Sequence, residues 1–87
     1  MHTVYVLRSL KNGSLYVGIT DRLAEERLIE HNNGKTSSIS NRRPFVLVYT
    51  ETMASRDLAI KRERFLKSGK GRKVLQNLAR AGWKSIV

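Results

Sequence analysis

The chain has 87 residues and a formal net charge of +10 at pH 7, enough for one small domain with a modest core. It contains no cysteine, which excludes a disulfide framework, a thiolate zinc site and a cysteine nucleophile. No apolar run approaches the roughly 20 residues that span a bilayer. The strand-like start has no leader-peptide pattern, so we expect a single cytoplasmic domain over residues 1–87.

Positive charge is concentrated in the second half of the chain. Residues 54–87 contain ten basic and two acidic side chains, which is +8 of the total +10. A surface of this kind attracts polyanions, and membrane surfaces and acidic proteins are alternatives to nucleic acid. We expect a nucleic-acid partner, and we infer neither a membrane partner nor an obligate protein partner.

An N-terminal β-hairpin is the first predicted element, with strands over residues 3–10 and 15–20. The Asn-Gly dipeptide between them is a strong turn signal because both positions accept positive φ. A turn that pairs Lys11 with Ser14 divides the strands into two faces, and any even shift of the turn keeps this division. One face is apolar and is expected to lie on the main core. The other face carries Tyr5, Leu7, Ser9, Tyr16, Gly18 and Thr20.

A helix and a third strand are predicted next. Asp21 is expected to cap a helix that runs to about Asn33 and ends at Gly34. Residues 45–49 form an apolar run after Pro44, which predicts a well-buried strand. The residues between this helix and strand are polar and are expected to form a loop.

Two further helices complete the predicted fold. Ser55 is expected to cap a helix that runs to about Lys67 and is broken by Gly69 and Gly71, and a last helix is predicted over residues 72–81. The order β-β-α-β-α-α predicts an α+β fold, a three-stranded antiparallel sheet flanked by helices. The side chains expected to be buried are Leu58, Ala59, Phe65, Leu66, Val74, Leu75, Leu78, Ala79, Trp83 and Ile86.

Short motifs along nearly the whole chain resemble those of GIY-YIG endonucleases. The motifs are Thr3-Val4-Tyr5, Tyr16-Val17-Gly18, Glu26–Asn32, Arg43–Tyr49, Ala59–Glu63 and Lys67–Arg72. A single motif of this kind would be weak evidence for the family, whereas the whole series in the right order is specific evidence. The resemblance is strongest to the small single-domain bacterial branch of that family, the UPF0213-like proteins, although Thr3 stands where the first motif usually has glycine.

The resemblance implies hydrolysis of DNA phosphodiester bonds with Mg²⁺ or Mn²⁺. It assigns the catalytic residues to Tyr5, Tyr16, Arg27, His31 and Glu63, with Glu63 as the metal ligand. This chemistry is reasonable because an arginine and a hard cation stabilise a phosphoryl transition state, and Mg²⁺ needs few protein oxygens. A tyrosine can act as the base if its pKa is lowered. Family precedent favours Tyr5 for that role, which the sequence leaves open.

Each of these residues also has a purely structural interpretation. Strand tyrosines often pack across strands, and a lone helix histidine is more often structural than catalytic. Arg27 could pair with Glu30, and Glu63 could pair with Lys67 one turn later. Gly18 either permits close packing or leaves room for the backbone of a substrate.

The spacing before the helix arginine departs from the family pattern. Arg27 follows Tyr16 by eleven residues, where the family usually has ten. We expect the extra residue to lie within residues 20–23, before the helix. If the extra residue lay inside the helix instead, Arg27 would be rotated by about 100° around the helix axis and Glu26 would face the site.

Contacts with nucleic acid are expected from basic residues in the polar loop and the last two helices. These residues are Lys35, Arg42, Arg43, Arg62, Lys67, Lys70 and Arg72. The leading hypothesis is a metal-dependent DNA endonuclease. The alternative is a nucleic-acid-binding module with the same fold and little or no cleavage, since this length allows no separate DNA-binding domain.

Overall fold

The computed structural model describes residues 2–84, so Ile86 lies outside the described residues. The elements are β1 (His2–Ser9), β2 (Leu15–Thr20), α1 (Ala24–Asn32), a 3₁₀ helix (Ser37–Arg42), β3 (Phe45–Met53), α2 (Arg56–Lys67) and α3 (Gly69–Arg80). The strands form one antiparallel sheet in the order β2-β1-β3, which confirms the predicted α+β fold. Within residues 2–84, no helix combines the length and apolar character that crossing a bilayer requires.

The hairpin of β1 and β2 has a wider turn than predicted. The backbone N–H of Ser9 donates to the carbonyl of Ser14 over 2.8 Å, and Tyr5 lies opposite Gly18. The predicted register was therefore wrong by two residues. The Ser9 hydroxyl accepts hydrogen bonds from two backbone N–H groups of the turn, which stabilises the longer loop. An even shift leaves the faces unchanged, so Tyr5 and Tyr16 share a face as expected.

The sheet separates two buried clusters. The apolar cluster, under α2 and α3, consists of Val4, Val6, Val17, Ala59, Leu66 and Leu75, and Trp83 packs against it as predicted. The α1 cluster, on the opposite face, consists of Tyr5, Leu7, Ala24, Ile39 and Phe45. The expectation of one main core on the apolar face was therefore incomplete. Both faces of the central strand β1 are covered, so consecutive residues are buried although their side chains point to opposite faces.

The first helix begins later than predicted. Its N-cap is Leu23, which provides no side-chain hydrogen bond, so the prediction that Asp21 caps the helix was wrong. The Thr20 hydroxyl instead accepts a hydrogen bond from the N–H of Arg22 and stabilises a turn before the helix. The C-terminal end agrees with the prediction, because Gly34 follows the helix with a φ of +80°.

Serine residues cap both C-terminal helices. The hydroxyl of Ser55 accepts from the N–H of Leu58 at the start of α2, as predicted. Ser68 caps α3 in the same way, so α3 begins at Gly69 rather than at residue 72. The two glycines therefore start α3 instead of only ending α2.

Gly71 lies where α2 and α3 meet. A Cβ at this position would overlap the carbonyl oxygen of Phe65 and the Cα of Leu66, so only glycine fits the present geometry. This crossing also determines which side chains are covered. Leu66 is buried, whereas Leu58, Phe65 and Ala79, expected to be buried, are exposed because they lie on the outer sides of the two helices.

The third strand and the segment before it differ from the prediction. β3 extends to Met53 and is mostly half-buried, because it pairs only with β1 and forms an edge of the sheet. The segment predicted as a loop contains the 3₁₀ helix, which buries Ile39. The side-chain amide of Asn32 bonds both backbone groups of Phe45, and this pairing fastens the end of α1 to the start of β3.

Candidate active site

The ring of Tyr5 lies against the backbone of Gly18, its partner across the hairpin. A Cβ on Gly18 would stand 2.5 Å from both Cζ and Oη of Tyr5, and Tyr5 itself is only 1% exposed. The space above Gly18 is thus filled by a protein side chain. The interpretation of Gly18 as room for a substrate backbone was wrong, and its role in close packing is confirmed.

Helix α1 directs Arg27 and His31 toward Tyr5 from the same helix face. The hydroxyl of Tyr5 lies 2.8 Å from Nε2 of His31, and the guanidinium of Arg27 acts on the same hydroxyl, where it opposes the rise in pKa that burial causes. The imidazole is completely buried, and its Nδ1 lies 2.7 Å from Oγ1 of Thr36. Arg27 therefore faces the site despite the unusual spacing, because the residues before α1 are not helical.

Tyr16 completes a group of four side chains. Its ring centroid lies 5.2 Å from that of His31 and 6.3 Å from that of Tyr5. The Nζ of Lys67 lies 5.7 Å from the centroid of the Tyr16 ring. Tyr16 is partly exposed, so it forms the outer side of the group while Tyr5 forms the inner side. We call Tyr5, Tyr16, Arg27 and His31 the tyrosine–histidine cluster.

Burial keeps both inner members of this cluster neutral near pH 7. Desolvation raises the pKa of Tyr5 above its ordinary value, with Arg27 opposing the shift and Tyr16 and Glu63 adding to it. Desolvation, followed by the positive charge of Arg27, lowers the pKa of His31 below 6.5. The condition under which a tyrosine can act as the base, a lowered pKa, is therefore not met at Tyr5 in the unbound protein. A neutral phenol and a neutral imidazole meet at this hydrogen bond.

Arg27 also takes part in the ion pair that the structural interpretation predicts. Its Nη1 bonds a carboxylate oxygen of Glu30, which also accepts from Nη2 of Arg22 over 2.9 Å. Both hydrogen bonds lower the pKa of Glu30, and the bond from Arg22 has the larger effect. Arg27 thus bonds a carboxylate while its charge acts on the Tyr5 phenol, and a phosphate could replace the carboxylate because guanidinium binds both anions.

Glu63 pairs with Lys67, with 3.4 Å between the carboxylate and the ammonium. Its partner Lys67 lies 5.7 Å from the centroid of the Tyr16 ring, so this carboxylate is near the cluster, and its charge adds to the raised pKa of Tyr5. Among residues 2–84, no three acidic or histidine side chains converge as a metal-binding group. A single partly exposed carboxylate nevertheless fits Mg²⁺, which binds through one or two carboxylates and retains several waters.

Beside Tyr16 lies a groove of about 610 Å³ between β2 and the last two helices. Lys67 and Arg72 line it, together with apolar side chains of both helices. Two residues predicted to bind nucleic acid are therefore adjacent to the tyrosine–histidine cluster. Their contact with nucleic acid stays a prediction.

The other basic residues in that prediction are more scattered. Arg62 makes two hydrogen bonds of 2.8 and 2.9 Å to Glu51, while Lys35 and Lys70 are exposed. Arg42 donates to the hydroxyl of Ser14, and Arg43 donates to the carbonyl of Ser40. Arg62, Arg42 and Arg43 therefore stabilise the fold, and any role in binding would come in addition.

Thr36 and Asn32 are site-supporting residues to which the sequence analysis gave no role. Asn32 fastens the end of α1, and Thr36 bonds the buried histidine. The sequence signal for Thr36 is only a hydroxyl residue five positions after His31, in a segment with no periodicity. Its contact depends on the turn at Gly34, which returns the chain toward α1.

The fold and the tyrosine–histidine cluster define a class of protein, and comparison of the chain with known families identifies that class. The family model described as "GIY-YIG catalytic domain" matches residues 1–77. The chain belongs to this family, whose members are generally endonucleases that use a divalent metal. The family match also agrees with the site geometry, in which both motif tyrosines lie together.

The particular relatives are small bacterial proteins. A UPF0213 protein of Staphylococcus saprophyticus is 38% identical over 76 residues, which is 86% of this chain and 90% of the relative. A UPF0213 protein of Staphylococcus epidermidis is 41% identical over 68 residues, covering 77% and 80% of the two chains. The solution NMR structure of a UPF0213 protein from Bacillus halodurans matches with a TM-score of 0.54 and 34% identity, covering 93% of this chain and 85% of the other.

Proposed function

We propose that this protein is a divalent-metal-dependent endonuclease that hydrolyses phosphodiester bonds in DNA. The observation that carries the proposal is the hydrogen bond between the buried Tyr5 and His31, next to Tyr16 and under the electrostatic influence of Arg27 and Glu63. The family match and the net charge of +10 support DNA as the substrate.

The proposed reaction uses Tyr5 and His31 to move one proton. The oxygen of a water bonds to phosphorus and gives a proton to Oη of Tyr5, while Tyr5 gives its own proton to Nε2 of His31. The bond from phosphorus to the sugar oxygen breaks, and that oxygen takes a proton from solvent. His31 then releases its proton to solvent, so the products are a phosphate monoester and an alcohol.

The substrate phosphate would bind at Arg27 and Tyr16. Tyr5 is covered in the structure, so its hydroxyl must become accessible when the substrate binds, and a shift of Arg27 from Glu30 toward the phosphate would be part of that change. Tyr16 is partly exposed and can donate its hydroxyl hydrogen to a phosphate oxygen. Glu63 would hold the cation. When bound, the cation would supply positive charge that offsets the negative charge developing on the phosphate oxygens.

The direct test is incubation of the protein with single-stranded, duplex, nicked and branched DNA in Mg²⁺, Mn²⁺ or EDTA. We expect cleavage with either metal and none with EDTA. Glu63→Gln should abolish cleavage while DNA affinity stays equal or rises, because the substitution removes a negative charge from a positively charged surface. Glu26→Gln is the matched control, because Glu26 also forms an exposed i,i+4 ion pair, with Arg22. This variant should cut DNA at the parent rate. Full activity of Glu63→Gln would contradict the metal assignment.

A binding module without cleavage is the second candidate. It is favoured by the ion pairs that engage Arg27 with Glu30 and Glu63 with Lys67, since both groups already have partners. Both candidates predict salt-sensitive DNA binding, with a slope of about −0.9 in log K against log salt for each phosphate neutralised. Absence of product on all four DNA forms, with such binding retained, would favour the binding module.

A further inference from the structure

His31 lies between two hydroxyl groups, and its contacts with them bear on which nitrogen of the histidine carries its hydrogen. A neutral imidazole has one N–H donor and one bare nitrogen acceptor. Nε2 lies 2.8 Å from the Tyr5 hydroxyl and Nδ1 lies 2.7 Å from the Thr36 hydroxyl, so either hydroxyl could in principle be the donor. The two arrangements have opposite consequences for catalysis, because only a bare Nε2 can take a proton from Tyr5.

The contacts of Tyr5 distinguish the two arrangements. Its hydroxyl has one hydrogen-bond partner among residues 2–84, Nε2 of His31, and the neighbouring charged group, Arg27, can only donate. The hydroxyl hydrogen therefore needs an acceptor, and Nε2 of His31 is the one that the described part of the chain offers. If Nε2 carried the hydrogen, the buried Tyr5 hydroxyl would have a donor without a partner, which is unfavourable for a buried polar group.

We propose that Thr36 is a positioning residue of the active site: its hydroxyl oxygen accepts the Nδ1 hydrogen of His31 and leaves Nε2 as the acceptor for the Tyr5 proton. The order of donation is then Tyr5 to His31 and His31 to Thr36. As His31 takes the Tyr5 proton, its Nδ1–H remains bonded to Thr36, so the new positive charge keeps an oxygen partner. This inference deepens the proposed nuclease function and rests on it.

The fold holds Thr36 in this position from both sides. Gly34, with a φ of +80°, turns the chain back after α1. Thr36 is the N-cap of the 3₁₀ helix, and its carbonyl accepts from the N–H of Ile39, which is 3% exposed in the α1 cluster. Thr36 is therefore positioned by buried neighbours rather than by its own side chain, so its hydroxyl can be changed while its backbone stays.

The test reads the histidine tautomer without requiring cleavage. Two-bond ¹H–¹⁵N spectra of histidine-labelled protein separate a protonated from a bare imidazole nitrogen, and His2→Gln assigns the signals because the chain has two histidines. We expect Nδ1–H in the parent and in Thr36→Ser, and a gain of the Nε2–H form in Thr36→Val. An Nε2–H tautomer in the parent, or an unchanged Nδ1–H tautomer in Thr36→Val, would overturn the proposal.

Cleavage kinetics give the second measurement. Thr36→Val should lower kcat by about 10–100-fold, as is typical for residues that orient a functional histidine, while KM for DNA stays unchanged. Thr36→Ser should restore kcat, and Thr52→Val, the same change at an exposed β3 position, should behave as the parent. Equal kcat in all variants would overturn the role of Thr36. If the parent cuts no DNA, the proposed function fails, and the spectra still decide the tautomer.

Discussion

The two faces of β1 are buried to a similar extent, but they are stabilised by different interactions. Val4 and Val6 point into the apolar cluster, which contains no polar side chain. Tyr5, between them in sequence, points to the opposite face and bonds a histidine that is completely buried. Apolar packing is non-directional, whereas each buried polar group needs a partner at a specific position. One strand therefore separates the residues that hold the fold from those that form the site.

Leu66→Ala should have the largest effect on stability, because Leu66 is fully buried in the apolar cluster. We expect the free energy of unfolding to fall by about 2–5 kcal/mol in urea denaturation, since the change removes apolar contacts and leaves a cavity. Leu66→Met, which nearly conserves volume, should lose less than about 1.5 kcal/mol. Equal losses for the two variants would mean that this face is not tightly packed.

Tyr5→Phe should reduce cleavage by about 100-fold, the lower range for loss of acid–base catalysis. Its free energy of unfolding should fall by about 1–3 kcal/mol, because Nε2 of His31 loses its hydrogen-bond donor. Tyr49→Phe is the matched control, since it removes a hydroxyl that bonds Glu51 and should leave the cleavage rate unchanged. If both variants cut DNA equally fast, the Tyr5 hydroxyl has only a structural role.

Gly71→Ala tests the close approach of α2 and α3 over the apolar cluster. The new Cβ would overlap backbone atoms of α2, and we expect a loss of about 1–3 kcal/mol in thermal or urea unfolding. Gly69→Ala is its natural comparison, because open space surrounds that Cβ position. The second variant should be neutral or stabilised by up to about 1 kcal/mol, since alanine restricts the unfolded chain. Equal destabilisation of both would contradict the described crossing.

The pH dependence of stability should give the smallest effect, and it reports on the tyrosine–histidine cluster. Burial lowers the pKa of His31, so the folded chain binds this proton less readily than the unfolded chain. The stabilising contribution is complete above pH 6.5 and is lost as the pH falls through the lowered pKa. Urea unfolding of the parent and of His2→Gln between pH 7 and 5 should show the same decline. A flat profile, or one abolished in His2→Gln, would contradict the buried state of His31.

Much of the fold follows from local sequence patterns. The β-branched runs and the capping serine at Ser55 act through nearby atoms, and the strands and helices were predicted correctly in type and order, although the turn at Asn12-Gly13 is wider than predicted. Boundaries were less accurate where the deciding partner is distant. The glycines at 69 and 71 are typical helix breakers, yet they start α3 because Ser68 caps it and α2 leaves no room for a side chain at residue 71.

The candidate site divides in the same way between sequence and tertiary structure. Strand alternation by itself put Tyr5 and Tyr16 on one face, and helical spacing put Arg27 and His31 on one side of α1, because both depend only on backbone geometry. Which hydroxyl meets which nitrogen, the covering of Tyr5 and the raising of its pKa depend on the packing of α1 and the 3₁₀ helix against the sheet. These contacts join residues far apart in the chain or across an irregular turn, so only the tertiary structure decided them.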